Sequence, residues 1–299
     1  MSDIQNLLVA TDFSERAERA EKRAAMLCMG HKCNTAELMT VKELVQLEGL
    51  ARLMNKSPEV ANTEVTHAVL RELQVRASEL SDECGVKFTC TVRFGQPAIE
   101  ISARREEIFA DLIVIGAHGS NFFTDIFLGN TADKLIRRCR RPLLVVKNEP
   151  AFPYRNILVP VDFSDDSRQA AQLALQIEPQ AEITFLHVYD IMFASKLSYA
   201  GVSQDAIDRY RIKTRQEAFL ALNKFIDDLD TPRLRIMRDV VLGHPSAIVR
   251  DYAEKMQTDL IVIGKHGRSR IEELIVGSVT RDTIHWTKCD IMVIPPLAA

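Results

Sequence analysis

The chain has 299 residues, of which 46% are hydrophobic and 26% charged, so it has apolar material for two cores of ordinary size. Its formal net charge of -3 argues against nucleic acid as a partner, and no apolar run is long enough to predict membrane insertion. The first residues lack a basic segment followed by an apolar core, so a cytoplasmic protein is expected.

Five short apolar runs alternate with helical stretches in the first half of the chain. They cover residues 7–11, 36–41, 86–95, 112–116 and 142–147. Runs this apolar, alternating with helices, predict a parallel sheet that is covered by helices on both faces. The ligand crevice of such a sheet lies outside the carboxyl ends of the strands.

A domain boundary is predicted between the halves, in the segment 148–154. Pro150 and Pro153 interrupt any regular element there, and no long flexible tether follows. We therefore predict one domain over residues 1–148 and a second over residues 155–299.

The second half repeats the pattern of the first. NLLVATDFS at Asn6 returns as NILVPVDFS at Asn156, and DLIVIGAHG at Asp111 returns as DLIVIGKHG at Asp259. Two matches in the same order at nearly the same spacing indicate a duplicated domain.

The second half therefore carries the same series of predicted elements. Its strands are expected at residues 157–161, 182–190, 234–243, 260–264 and 290–295, with a long helix over about 203–228. Ser164 is placed to cap the first helix, Pro245 to open the third, and Gly277 with Ser278 to start the fourth.

Glycines and a hydroxyl follow the fourth strand of the second half. Gly264 and Gly267 are followed, after nine residues, by Gly277 and Ser278. Glycine lets the backbone approach a ligand closely, and the amide groups at a helix start favour phosphate. Asp162, at the end of the first strand, can accept hydrogen bonds from a base amine or from ribose hydroxyls. These features by themselves leave the ligand open.

In these residues the chain resembles the universal stress proteins, and in particular their tandem-domain members. The second half carries the family's ATP signature, Gly-x2-Gly-x9-Gly-Ser/Thr, in full, and Gly243-His244-Pro245 also matches the family pattern. The resemblance implies two tandem Rossmann-like (adenine nucleotide α-hydrolase-like) domains, each a five-stranded parallel sheet with helices on both faces.

The resemblance also implies a function and a site. The function is ATP binding in stress response or signalling, with at most slow hydrolysis and with magnesium left open as an accompanying ion. The nucleotide-binding residues implied for the second domain are Pro160, Val161, Asp162, Val188, Gly264, His266, Gly267, Arg268, Gly277, Ser278 and Val279.

The first half departs from the signature at one position, where Asn130 replaces the serine or threonine after Gly129. Asparagine still caps a helix well, so the helix start is expected to survive, with a degenerate second site. The candidate residues of that site are Thr11, Asp12, Val41, Gly116, Gly119, Gly129, Asn130 and Thr131. An interpretation of equal weight is that Asp12 only holds the loop that leads into the helix.

An aromatic pair in the first half supports a different class of function. Phe122 and Phe123 stand where the second half has Arg268-Ser269-Arg270. Packing against the other domain is the favoured interpretation. The alternative is a non-nucleotide interaction or carrier protein that uses this loop and other apolar surfaces.

No catalytic or metal-binding residue is predicted. The sequence lacks a Gly-x4-Gly-Lys-Ser/Thr loop, an obvious carboxylate pair for magnesium and a G-x-S-x-G elbow. His118 and His266 have no second ligand at metal-binding spacing. A slow nucleotide hydrolase or transferase is a third alternative.

The resemblance has a further implication for assembly. The fifth strands, PLLVVK and DIMVIP, are expected to pair the two domains edge to edge within the chain. An exposed edge elsewhere, or the long second helices, predicts a homodimer.

Overall fold

The computed structural model describes residues 4–31, 33–43, 55, 57–117, 129–138, 140–190, 203–229, 235–267 and 275–296. The chain divides into two compact units, Met1–Pro153 and Tyr154–Ala299. In both units the described elements alternate between strand and helix.

The first unit contains a parallel five-stranded sheet. Its strands are β1 (Asn6–Ala10), β2 (Thr35–Lys42), β3 (Phe88–Phe94), β4 (Leu112–Gly116) and β5 (Leu143–Val146). Its described helices are α1 (Glu15–His31), α2 (Pro58–Cys84), α3 (Pro97–Glu107) and α4 (Asn130–Arg138). The strands lie in the order β3-β2-β1-β4-β5, and every pair is parallel. The order reverses between β1 and β4, so a crevice is expected outside the carboxyl ends of these two strands.

The centre of this sheet is buried on both faces. Leu7, Leu8 and Val9 are consecutive in β1, and all three are 0% exposed. Since successive side chains of a strand point to opposite faces, both faces must be covered. The cover comes from helices: α1 packs against α2, and α3 packs against α4.

The second unit repeats this arrangement. Its strands are β6 (Asn156–Pro160), β7 (Glu182–Tyr189), β8 (Ile236–Leu242), β9 (Leu260–Gly264) and β10 (Asp290–Ile294). Its described helices are α5 (Asp165–Ile177), α6 (Gln204–Asp227), α7 (Pro245–Lys255) and α8 (Ser278–Trp286). The strand order is β8-β7-β6-β9-β10, again with parallel pairs.

The predicted fold class, two α/β units with five parallel strands each, is confirmed. Ser164 caps α5 as expected, since its hydroxyl accepts a hydrogen bond from the Ser167 N–H at 3.2 Å. The third strand of each unit starts two residues later than predicted. Pairing with the neighbouring strand begins only at Phe88 in the first unit and at Ile236 in the second.

Among the described helices, none combines the length and the apolar character needed to cross a membrane.

Candidate functional site

The glycine loop of the second unit is closed by main-chain hydrogen bonds at the strand ends. The Gly277 N–H donates to the Lys265 carbonyl at 2.9 Å, and the Lys265 N–H donates to the Ile294 carbonyl at 2.7 Å. Gly277 is the residue before α8, and its carbonyl accepts the Arg281 N–H at 2.9 Å. Ser278 is therefore the first helical residue, beside the end of β9, as the signature predicts.

The space beside Gly277 is lined by main-chain atoms. A Cβ atom at Gly277 would lie 3.3 Å from the Lys265 carbonyl oxygen, 3.6 Å from the Gly267 nitrogen and 3.6 Å from the His266 Cα. A Cβ atom at Gly267 would lie only 2.8 Å from the Asp162 Oδ2. The Gly267 nitrogen and the start of α8 thus border a space that a larger residue would fill, and a helix start favours anions.

The first glycine of the signature packs a helix against a strand. A Cβ atom at Gly264 would lie 2.8 Å from the Asp166 Cβ and 2.9 Å from the Asp166 carbonyl carbon, in the first turn of α5. The first unit repeats the contact, since a Cβ atom at Gly116 would lie 2.7 Å from the Arg16 carbonyl oxygen. The sequence prediction assigned these glycines to a ligand, and the structure adds a close helix approach that only glycine allows.

Asp162 holds the loop between β6 and α5. Its Oδ1 accepts hydrogen bonds from the Ser164 N–H at 3.0 Å and from the Ser164 hydroxyl at 2.5 Å. Asp12 makes the same two hydrogen bonds with Ser14, at 3.1 Å and 2.5 Å. The loop-holding interpretation offered for Asp12 is therefore observed at both positions. The second oxygen of Asp162 lies beside Gly267.

Apolar residues lie beside Asp162 at the ends of β6 and β7. Pro160 is opposite Leu186 in the strand register, and the buried Val161 donates its N–H to the Leu186 carbonyl at 2.8 Å. Val188 is half-buried, two residues further along β7. The adjacent His187 ring contacts the Val161 carbonyl, with 2.7 Å between Nδ1 and oxygen. Pro160, Val161 and Val188, three of the residues predicted to bind the nucleotide, thus lie at neighbouring strand ends.

His266 is held against a buried carboxylate. The Asp166 Oδ2 accepts the backbone N–H of His266 at 3.1 Å and lies 3.2 Å from its Nδ1. Asp166 is 1% exposed and His266 is 8% exposed. Within the described residues the buried Nε2 of His266 has no hydrogen-bond partner. This ring therefore anchors the glycine loop to α5.

Sequence reasoning missed Asp166 and the burial of Lys265, which is 3% exposed. Asp165 and Asp166 are adjacent carboxylates in the first turn of α5, and no local signal distinguishes them. Only the packing of α5 against β9 decides that Asp165 is exposed and Asp166 buried.

Replacing Asp166 with alanine should destabilise the second unit by about 1–3 kcal/mol, because it leaves the buried N–H groups of His266 without an acceptor. The measurement is urea unfolding followed by the fluorescence of Trp286, the one tryptophan of the chain. Asp165→Ala is the matched control, since Asp165 is exposed. Equal unfolding midpoints for the two variants would show that the Asp166 contact contributes no stability.

An open cleft of about 420 Å³ lies at the strand ends of the first unit. The Gly129 N–H donates to the Ala117 carbonyl at 2.8 Å, as in the second unit, and the Gly129 carbonyl accepts the Asp133 N–H at 3.0 Å. Asn130 is thus the first residue of α4 and not its cap, because Gly129 takes that place. The candidate residues that line the cleft are Thr11, Asp12, Val41, Gly116, Gly129, Asn130 and Thr131.

Some residues that the sequence singled out lie outside the described residues. These are Gly119 and Arg268 of the two glycine loops, together with His118, Phe122 and Phe123. Across the described ranges, no group of three or more histidine, cysteine, aspartate or glutamate side chains could hold a metal ion.

Comparison with protein sequences identifies one family. The model of the universal stress protein family matches residues 3–147 and again residues 153–295. A universal stress protein of Methanocaldococcus jannaschii is 30% identical over 143 residues, which are 47% of this chain and 82% of that protein. A universal stress protein of Mycobacterium bovis is 25% identical over 189 residues, which are 61% of this chain and 58% of that protein.

Solved structures share the fold over nearly the whole chain. A universal stress protein from Archaeoglobus fulgidus matches with a TM-score of 0.64 at 18% identity, covering 98% of this chain and 99% of that one. At this identity the likeness shows the fold alone. The two successive matches to the family model carry the assignment further, because together they span nearly all residues. The chain therefore belongs to the universal stress protein family, as a member with two tandem domains.

Proposed function

We propose that this chain binds ATP and acts in stress response or signalling, with the nucleotide held mainly in the second unit. The observation that carries the proposal is the main-chain space beside Gly277. The Gly267 nitrogen and the Lys265 carbonyl oxygen lie 3.6 and 3.3 Å from the place that a Gly277 Cβ would take. Phosphate groups bind where backbone N–H groups converge on a helix start, and α8 starts at this point.

The proposed site divides into a phosphate side and an adenosine side. On the phosphate side we place Gly264, Gly267, Gly277, Ser278 and Val279, with Arg268 added from the sequence. On the adenosine side, Pro160, Val161 and Val188 offer apolar surface to the base, and Asp162 accepts hydrogen bonds from the ribose or the base amine. His266 positions the glycine loop through Asp166. A bound ATP supplies a triphosphate, and the groups on the phosphate side would offset its negative charge.

We propose binding with little turnover. The sequence lacks the phosphate-loop lysine that reaches the β- and γ-phosphates. The lysine of the second glycine loop, Lys265, is 3% exposed. Magnesium as an accompanying ion, the pairing of the fifth strands, the homodimer and the cytoplasmic location stay predictions from the sequence.

The proposal is tested by the nucleotide content of the purified protein and by calorimetric titration of the nucleotide-free protein with ATP. We expect at least one equivalent of ATP to bind, with little ADP released afterwards. Rapid release of ADP would contradict the proposal of slow turnover. Absence of binding would contradict the whole proposal and favour the interaction or carrier function of the Phe122-Phe123 loop.

A further inference from the structure

The two units carry their positive charges at different places around the strand ends. In the sequence, the glycine loop of the second unit carries Arg268 and Arg270, whereas the corresponding residues 120–124 of the first unit include no cation. The first unit instead has lysines on its regular elements. Lys42 ends β2, Lys134 lies on α4, and both line the 420 Å³ cleft.

Both lysines are available to a ligand. Within the described part of the chain, neither one forms an ion pair. The Lys42 ammonium lies 5.1 Å from the centroid of the Phe13 ring. The carboxylate next to Lys134, Asp133, is engaged by Arg137 at 3.0 Å, and so it does not neutralise the lysine.

Lys134 lies on the same face of α4 as the first two residues of that helix. It lies four residues after Asn130 and three after Thr131, a spacing that places all three on one helix face. All three line the cleft, and so do Asp12 and Val41 at the ends of the neighbouring strands. Lys134, the first residues of the helix and the strand-end residues thus line one cleft.

The second unit has a different contact at the corresponding positions. Asp282 takes the place of Lys134, since each is the fifth residue of its helix. The Asp282 Oδ2 accepts a hydrogen bond from the Ser246 hydroxyl at 2.9 Å and ties α8 to α7. In the first unit the counterpart of Ser246 is Ala98, the second residue of α3, whose side chain has no hydroxyl to accept a hydrogen bond from Lys134. Lys134 therefore remains free of this contact and lines the cleft.

We propose that the first-unit cleft is a working second site for a phosphorylated adenine nucleoside, in which Lys134, assisted by Lys42, holds the phosphate. The inference rests on the proposed function, because it takes an adenine nucleotide as the ligand. The lysine supplies the positive charge that the other unit carries on its glycine loop. It also offsets the hydroxyl lost at Asn130, since a charged donor forms a stronger hydrogen bond to phosphate than a neutral one.

The test is calorimetric titration with ATP in a background where the site of the second unit is blocked by Gly277→Val. We expect two equivalents of ATP in the wild type and one in Gly277→Val. Lys134→Asp introduces the residue that the second unit has at this position, Asp282. Added to Gly277→Val, it should lower the affinity for the remaining equivalent of ATP by about tenfold to a hundredfold. Lys134→Arg should retain it.

Lys87→Asp is the matched control, because Lys87 is exposed just before β3, at the end of the sheet away from the cleft. This variant should bind like the Gly277→Val background. One equivalent in the wild type and none in Gly277→Val would overturn the inference and leave the proposed function standing. No binding in the wild type would overturn both. A remaining equivalent that is insensitive to Lys134→Asp would overturn the role of the lysine.

Discussion

Replacing Gly277 with valine should strongly weaken ATP binding in the second unit. Gly277 has φ -56° and ψ 147°, a conformation that valine adopts easily, so the effect comes from space and not from backbone strain. The added Cβ would already lie 3.3 Å from the Lys265 carbonyl oxygen and 3.6 Å from the Gly267 nitrogen. The two methyl groups beyond it would occupy the room that we assign to phosphate.

The expected loss of affinity in that unit is roughly hundredfold, equivalent to losing about two charge-assisted hydrogen bonds. It is measured by calorimetric titration with ATP. Gly30→Val is the matched control, because a Cβ atom at Gly30, near the end of α1, meets nothing within 4 Å. If Gly277→Val binds every equivalent of ATP with unchanged affinity, the nucleotide lies away from this glycine.

Gly264→Ala should destabilise the second unit by about 1–3 kcal/mol, with the upper end expected. Its Cβ atom would lie 2.8 Å from the Asp166 Cβ and 2.9 Å from the Asp166 carbonyl carbon. These atoms belong to the first turn of α5 and cannot rotate away as a flexible side chain could. The helix must therefore move from β9, which also disturbs the contact between Asp166 and His266.

The measurement is again denaturant unfolding followed by Trp286 fluorescence, supported by hydrogen exchange, because a two-domain chain need not unfold in one step. Gly30→Ala adds the same methyl group to open space and serves as the control. Gly116→Ala should destabilise the first unit in the same way, since its Cβ would lie 2.7 Å from the Arg16 carbonyl oxygen. A Gly264→Ala protein as stable as the control would show that α5 adjusts at little cost.

The strands were predictable because their signal is local. The first and fourth strands of each unit are unbroken apolar runs, and such runs fit only a sheet buried on both faces. The edge strands β3 and β8 have boundaries that are harder to predict, because only one residue of each strand is fully buried and hydrogen bonding to the neighbouring strand decides where they begin. The glycine signature is equally local, and so the start of α8 at Gly277 and Ser278 could be predicted.

The roles within the site were less predictable, because they depend on contacts between residues far apart in the chain. His266 was expected at the ligand, yet its ring lies against Asp166, which is 100 residues away. The first site was predicted to be degenerate because Asn130 replaces the serine or threonine of the signature. The structure shows an open cleft there, lined by lysines of β2 and α4 that the signature does not include.

The duplication, the α/β class, the family and the residues at the strand ends can all be inferred from the order of residues, because apolar periodicity and glycine spacing act over a few residues. The packed fold is needed to see which carboxylate of α5 is buried, why Gly264 and Gly116 must lack a side chain, and where Lys134 lies relative to the cleft. Each of these depends on how closely a helix approaches a strand or another helix, and such distances are set by packing and not by local sequence.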